Sequence, residues 1–333
     1  MGTQNKYRPV VCRIGIKLIF LLIFFFVHSG CAFFSLSLGS RISPLEETVV
    51  SGEGDDKVLV IAINGLISNK KSKTIFGNVM EVGMVERIRE TLKKADADDQ
   101  IKAILLKINS PGGTVTSSDI IYHQLKSFKN KKGIRVYAIF MDLAASGGYY
   151  VAQAADKIFA HPTSVTGSIG VISLKMNLKN LLDKVGVEFE VVKSGEKKDF
   201  LSPFRPFTVE ERGLFQETID SMHQRFVDTI LENRPGISRA SMKSLADGRI
   251  FTSQQALAFK LIDHIAYLDE AEELIKQDMA VQKLKFVVYS RPGQYKNNLY
   301  SALPYSPTIN LLNVDLNFLP LNLESKFLYL WLP

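Results

Sequence analysis

Three short stretches of this chain carry side chains whose types and spacing could hydrolyse an acyl bond. The first is DLAASGGYYVAQAA, residues 142–155, where Ser146 stands between two alanines and two glycines at the head of an apolar run with helical spacing. A serine in that position can cap the helix, its hydroxyl accepting a free backbone N–H. It can also be a nucleophile at the positive end of the helix, with glycines that let a carbonyl approach. The second stretch is NSPGG, residues 109–113, another turn of small residues. The third is EVVKSGEKKDFLSPFRPFT, residues 190–208, which crowds Lys193, Lys197 and Lys198 together after an expected strand.

A hydroxyl becomes a useful nucleophile only when a base takes its proton. The five histidines, His28, His123, His161, His223 and His264, have no partner carboxylate in a recognisable arrangement, and neither G-x-S-x-G nor H-E-x-x-H occurs. Histidine-triad and zinc-hydrolase readings therefore lack support. Lysine is the other base, but its ordinary pKa of about 10.4 keeps it protonated at neutral pH. A basic lysine must be desolvated. The pattern alone does not choose among Lys193, Lys197 and Lys198.

The elements around these stretches alternate. VLVIAINGLI (58–67), IKAILLKIN (101–109) and RVYAIF (135–140) are nearly continuous apolar runs, the kind expected of strands covered on both faces. Helical spacing follows each: over 80–94, after the glycine turn at 110–113, and through the serine stretch itself. Such alternation predicts an α/β fold with a mainly parallel sheet, whose reactive groups gather beyond the carboxyl ends of the strands. Ser110–Gly113 and Ala145–Gly148 are thus expected at one edge. Residues 211–233 form the clearest amphipathic helix, and LKFVVYS (284–290) reads as a last strand. The tail ends in FLYLWLP, which suits core packing, a subunit contact or a membrane-facing patch.

The net charge of +7 is not spread over the chain: Lys6, Arg8, Arg13 and Lys17 supply four of the charges, and the first seventeen residues hold no acid. No basic stripe interleaved with aromatics follows, which excludes a nucleic-acid partner. The basic start leads into LIFLLIFFFV (18–27), and 22 uncharged residues run on to Gly39. That is an export signal or membrane anchor, with the N-terminus inside and the chain beyond residue 40 on the outer side. Cys12 and Cys31 are the two cysteines, and neither lies in the folded body, so no disulfide framework or zinc site is drawn. Cys31, after Ser29–Gly30, resembles a lipoprotein cleavage site, although His28 stands where that pattern has an aliphatic residue. An uncleaved anchor is the leading expectation and lipidation of Cys31 the alternative.

NSPGG (109–113), ASGGYYVAQAADKI (145–158), TGSIGVI (166–172), SGEKKDFLSPFRPFT (194–208) and ADGRIFTSQQA (246–256) occur in that order. Together they resemble the signal peptide peptidase A family in its short, single-repeat bacterial form, over roughly residues 55–275. The resemblance implies a Clp protease/crotonase-like fold of repeated β-β-α units, and a serine endopeptidase of the bacterial cytoplasmic membrane that needs no metal or cofactor. By position it implies Ser146 as nucleophile and Lys198 as general base. It also implies Ser168 as the hydroxyl orienting the lysine, and the N–H groups of Gly113 and Gly147 as the oxyanion hole. It implies remnant signal peptides as substrates, and a ring of copies in which serine and lysine of one site come from neighbours. The expected organisation is an anchor or lipoprotein signal at 1–40, a linker at 41–57, the peptidase domain at 58–290 and a tail of unassigned role at 291–333. The chain departs from the family at Lys260, where a helix-end glycine is usual. The competing readings are an inactive tethered scaffold of the same fold and a crotonase-type acyl-CoA enzyme, the latter disfavoured by the export segment.

Overall fold

The computed structural model describes residues 43–70, 72–73, 79–292, 297–301 and 327–332. The expected anchor and Cys31 lie outside the described residues. All the structure that follows belongs to one compact unit, which begins after residue 41. No helix among the described residues is long and apolar enough to cross a membrane.

The body opens with β1 (Glu46–Gly52) and β2 (Lys57–Asn64), then a small hairpin of β3 (Ser72–Lys73) and β4 (Val79–Glu81). Helix α1 (Met84–Asp96) precedes β5 (Ile101–Ser110), the short β6 (Gly112–Thr114) and α2 (Val115–Lys132). Next come β7 (Arg135–Ala145), α3 (Gly147–Ala152), β8 (Lys157–Ala160) and β9 (Val165–Gly167). An arm follows, containing α4 (Lys179–Val185) and a 3-10 turn at Glu196–Asp199. The long α5 (Val209–Asn233) and α6 (Arg239–Leu245) lead to β10 (Ile250–Thr252), α7 (Ser253–Ala258) and β11 (His264–Ile265). Helix α8 (Leu268–Asp278), β12 (Lys285–Ser290) and a C-terminal β13 (Leu328–Leu330) complete it.

The main sheet runs β1-β12-β2-β5-β7-β8-β11, with β9 paired to the far end of β7 and β10 paired to β9. Its centre is parallel and β1 is an antiparallel edge. The apolar runs are continuous because both faces are covered. Leu59, Ile61 and Ile63 of β2 enter the core beneath α1, α2 and α5, whereas Val58 and Val60 pack with Leu268, Ala271 and Ile275 of α8 on the other face. This is the α/β architecture the alternation predicts.

Two expectations need correction. Part of the stretch read as a linker is β1, in register with β12 from Glu46 opposite Ser290 to Gly52 opposite Lys285. One of its faces meets solvent, so its half-polar sequence, EETVVSG, lacks the apolar continuity of the central strands. Conversely, no strand forms before Lys193: residues 187–193 are exposed and irregular. Val187, Phe189, Val191 and Val192 suit a strand, but a strand needs a neighbour, and no described strand lies beside them.

Candidate active site

Parallel strands β5 and β7 end side by side, which brings the two small-residue turns to one edge. Ser110 is in register with Ala144, and one residue beyond β7 the chain turns sharply at Ser146 into α3. Ser146 has φ 53 and ψ −115, a conformation costly for any residue with a Cβ. Its neighbours hold it there: the Ser146 N–H donates to the Gly167 carbonyl at 2.7 Å, and its carbonyl accepts from Tyr150 N at 2.8 Å. The hydroxyl makes no cap to the helix, so the bland reading of this serine fails. Ser146 is 1% exposed, and its Oγ has no hydrogen-bond partner among the described residues. A buried unpaired hydroxyl is destabilising unless a partner arrives from elsewhere.

Ser168 lies alongside. Strand β9 pairs in parallel with the end of β7, Gly167 opposite Ala145, so Ser168 and Ser146 leave adjacent strands together. Ser168 also has positive φ, 50°, and is held by its N–H to the Arg249 carbonyl at 2.7 Å.

The glycines define a pocket for a carbonyl. A Cβ on Gly112 would sit 2.7 Å from the Gly147 nitrogen, and one on Gly147 would sit 3.1 Å from the Gly113 nitrogen. The N–H-bearing atoms of Gly113 and Gly147 therefore converge next to Ser146. Something already lies there. Strand β13 runs antiparallel to β6 with Tyr329 opposite Gly113, and the same Gly112 Cβ would fall 2.0 Å from the Tyr329 carbonyl oxygen. A Gly147 Cβ would be 3.1 Å from that oxygen.

The tail thus threads a groove as an extended peptide. On one side Val115 N donates to the Phe327 carbonyl at 3.2 Å and Trp331 N to the Pro111 carbonyl at 2.9 Å. On the other, Ile172 and Leu328 exchange two backbone hydrogen bonds, both 2.9 Å. The Tyr329 side chain is fully buried, stacked on Tyr150 at 5.0 Å and tilted against Phe226 at 4.7 Å. Its hydroxyl donates to the Met222 carbonyl at 2.8 Å. Burial pushes the Tyr329 and Tyr150 phenols well above their ordinary range, so both remain donors, Tyr150 to Asp119 at 2.6 Å. Of the three roles open to FLYLWLP, the described residues show core packing, in an aromatic pocket next to Ser146.

Lys198 is not part of this cluster in the single chain. It sits exposed in the 3-10 turn, its amine without a hydrogen bond or ion pair among the described residues. Of the other two lysines, Lys193 pairs with Asp199 at 2.6 Å and Lys197 with Glu210. Two of the histidines have other partners: His161 contacts the Phe140 carbonyl and His123 contacts Ser127. Among the described residues no group of three or more His, Cys, Asp or Glu could hold a metal. Neither Tyr329 nor Ile172 is marked by the sequence alone, although FLYLWLP is a short continuous apolar run of the kind a buried strand has. Lys260 takes φ 62 at the end of α7, which explains why a glycine is usual there.

Comparison with known proteins gives the family. The model of peptidase family S49 matches residues 128–282, and that of the Clp protease matches residues 61–166. A protein of Enterococcus faecium assigned as signal peptide peptidase SppA is 35% identical over 73% of this chain and 70% of its own length. Serine protease SPPA of Arabidopsis thaliana chloroplasts is 31% identical over 75% of this chain and 37% of its own. Protease 4 of Haemophilus influenzae is 30% identical over 68% of this chain and 36% of its own.

Proposed function

The chain belongs to peptidase family S49, and on that premise we propose that it is a membrane-anchored serine endopeptidase in which Ser146 and Lys198 act as a dyad. The observation that carries this reading is the carbonyl of Tyr329, set against Gly112, Gly113 and Gly147 beside a buried, unpaired serine hydroxyl. A peptide lying as the tail lies would present its carbonyl carbon to Ser146 and its oxygen to two backbone donors.

The chemistry follows from those positions. Neutral Lys198 takes the proton of Ser146 Oγ as the oxygen attacks the carbonyl carbon. The developing oxyanion is held by the N–H groups of Gly113 and Gly147, each such donor being worth on the order of 3 kcal/mol of barrier. The C–N bond then breaks, the lysine ammonium gives its proton to the departing amine, and water repeats the sequence on the ester of Ser146. Ser168, in register with the nucleophile turn, would orient the amine.

Lys198 must come from a second copy for this to work. Two features support that: Ser146 is closed off within its own chain while Lys198 stands in solvent, and the arm between them exposes Leu181, Val185, Val187, Phe189, Val191 and Val192. Docking that arm on a neighbour would bury its apolar face and desolvate the amine together. Repeated head to tail, the contact closes a ring. The substrates are extended peptides with an aromatic or other large apolar residue before the cleaved bond, in keeping with remnant signal peptides. The N-terminal segment would hold the body at the outer face of the cytoplasmic membrane.

The test is turnover of an internally quenched peptide by the full chain in detergent. Cleavage is expected in the wild type and a loss of at least a thousandfold in Ser146→Ala and in Lys198→Ala. Equal turnover in either variant would reject the dyad, and no turnover in any form would favour the inactive scaffold.

A further inference from the structure

The turn that carries Lys198 buries none of its own residues; Phe200 beside it packs on Phe207 and Phe215, and polar bonds fix its direction. Arg205 does so with all five of its N–H donors. Nε and Nη2 grip the two oxygens of Asp199 at 3.0 and 2.8 Å, and Asp199 directly follows Lys198. Nη1 and Nη2 grip the two oxygens of Glu211 at 2.8 and 2.6 Å, and Nη1 also donates to the Pro206 carbonyl at 3.1 Å. Glu211 is only 3% exposed and belongs to the first turn of α5, where it forms a capping box with Thr208. Helix α5 is anchored in the core by Phe226, Val227 and Ile230. A continuous path of bonds therefore runs from the core through Glu211 and Arg205 to the residue next to Lys198. Lys175 braces the same loop, donating to the carbonyls of Phe200 and Arg205 at 3.1 and 2.9 Å.

We propose that Arg205 is a positioning residue for the lysine half of the active site, holding the Lys198 turn at a set distance and direction from α5 so that the amine reaches a neighbouring copy's Ser146. This rests on the dyad reading above. A planar guanidinium can take two carboxylates edge-on at once, which a lysine ammonium cannot. The role therefore needs arginine and not merely positive charge. Arg205 touches neither substrate nor reacting atoms, and it acts only through where it puts Lys198.

The test uses the full chain in detergent. Displacing a catalytic group by about an ångström costs on the order of a hundredfold, so Arg205→Gln should lose about that factor in kcat with KM changed less than twofold. Arg205→Lys should recover little of the loss. Mixed assemblies then assign the half. Ser146→Ala with Lys198→Ala is the control, and it should regain activity if the site is shared. Arg205→Gln with Ser146→Ala should also regain activity, about a quarter of wild type if sound halves meet at one interface in four. Arg205→Gln with Lys198→Ala should not. Recovery in that last mixture, or in neither Arg205→Gln mixture while the control recovers, would overturn the proposal. A failed control would instead reject sharing between copies, and Arg205 would then stand or fall by the kcat loss at constant KM. A rise in KM alone, or full rescue by Arg205→Lys, would refute it.

Discussion

Replacing Tyr329 by alanine should open the groove. The ring is fully buried between Tyr150 and Phe226, and its hydroxyl donates to Met222. Burying a tyrosine removes roughly 150–250 Å² from water, which at about 25 cal/mol per Å² is about 4–6 kcal/mol. Truncations of buried aromatics cost about 3–5 kcal/mol, so about 3 kcal/mol is a conservative loss for tail docking. That is more than a hundredfold in the ratio of docked to free tail. The chain has one tryptophan, Trp331, just past the end of β13 and bonded through its N–H to the Pro111 carbonyl. Its fluorescence therefore reports docking directly. Tyr329→Ala should shift the emission to the red, and KM for an added peptide should fall by up to a hundredfold at unchanged kcat, because the docked tail competes for the groove. Unchanged emission together with unchanged KM would refute the reasoning, since the tail would then be neither held by Tyr329 nor in the path of substrate.

Three further outcomes follow from particular positions. Gly112 has φ +99, and an added Cβ would meet the Tyr329 carbonyl at 2.0 Å; Gly112→Ala should expel both tail and substrate, seen as red-shifted Trp331 emission with peptide turnover lost. Arg205 holds the Glu211 carboxyl down at about 2 from an ordinary 4.5. A depressed carboxylate contributes stability that is present above its unfolded pKa and lost as pH falls through the folded one. Pepsin cleavage within residues 186–206, taken at each pH relative to Arg205→Gln so that the protease's own titration cancels, should therefore approach that of the variant as pH drops from about 4.5 to 2, and a constant ratio would contradict the clamp. Lys260 holds φ 62 at the end of α7; Lys260→Gly should relieve about 1 kcal/mol of strain, raising Tm by a few degrees without altering kcat, as a thermal melt would show.

What could be read from residues alone follows the range of the interactions involved. The central strands were legible because burial on both faces leaves one kind of side chain, and the convergence of NSPGG with ASGG follows from two parallel strands ending together. The φ of Ser146 was not legible, since positive φ arises from what β9 and α3 do to the turn. The docking of the tail was hidden for a different reason: Gly113, opposite Tyr329, and Ile172, opposite Leu328, lie more than 150 residues away, and no local pattern encodes such a pairing. The arm misled in the opposite sense, because Val187, Phe189, Val191 and Val192 have strand-type side chains but no neighbour in the described chain. Lys198 was distinguished from Lys193 and Lys197 only by family resemblance. Within one chain its side chain is exposed, and what sets it apart among the described residues is the absence of the acidic partner that each of the other two has.

The dyad itself is tested most directly by covalent trapping. Full-length protein treated with a peptidyl fluorophosphonate and digested for mass spectrometry should carry the adduct on Ser146 alone, with the rate of labelling collapsing in Lys198→Ala. Labelling of another residue, or of Ser146 at an unchanged rate without Lys198, would contradict the account.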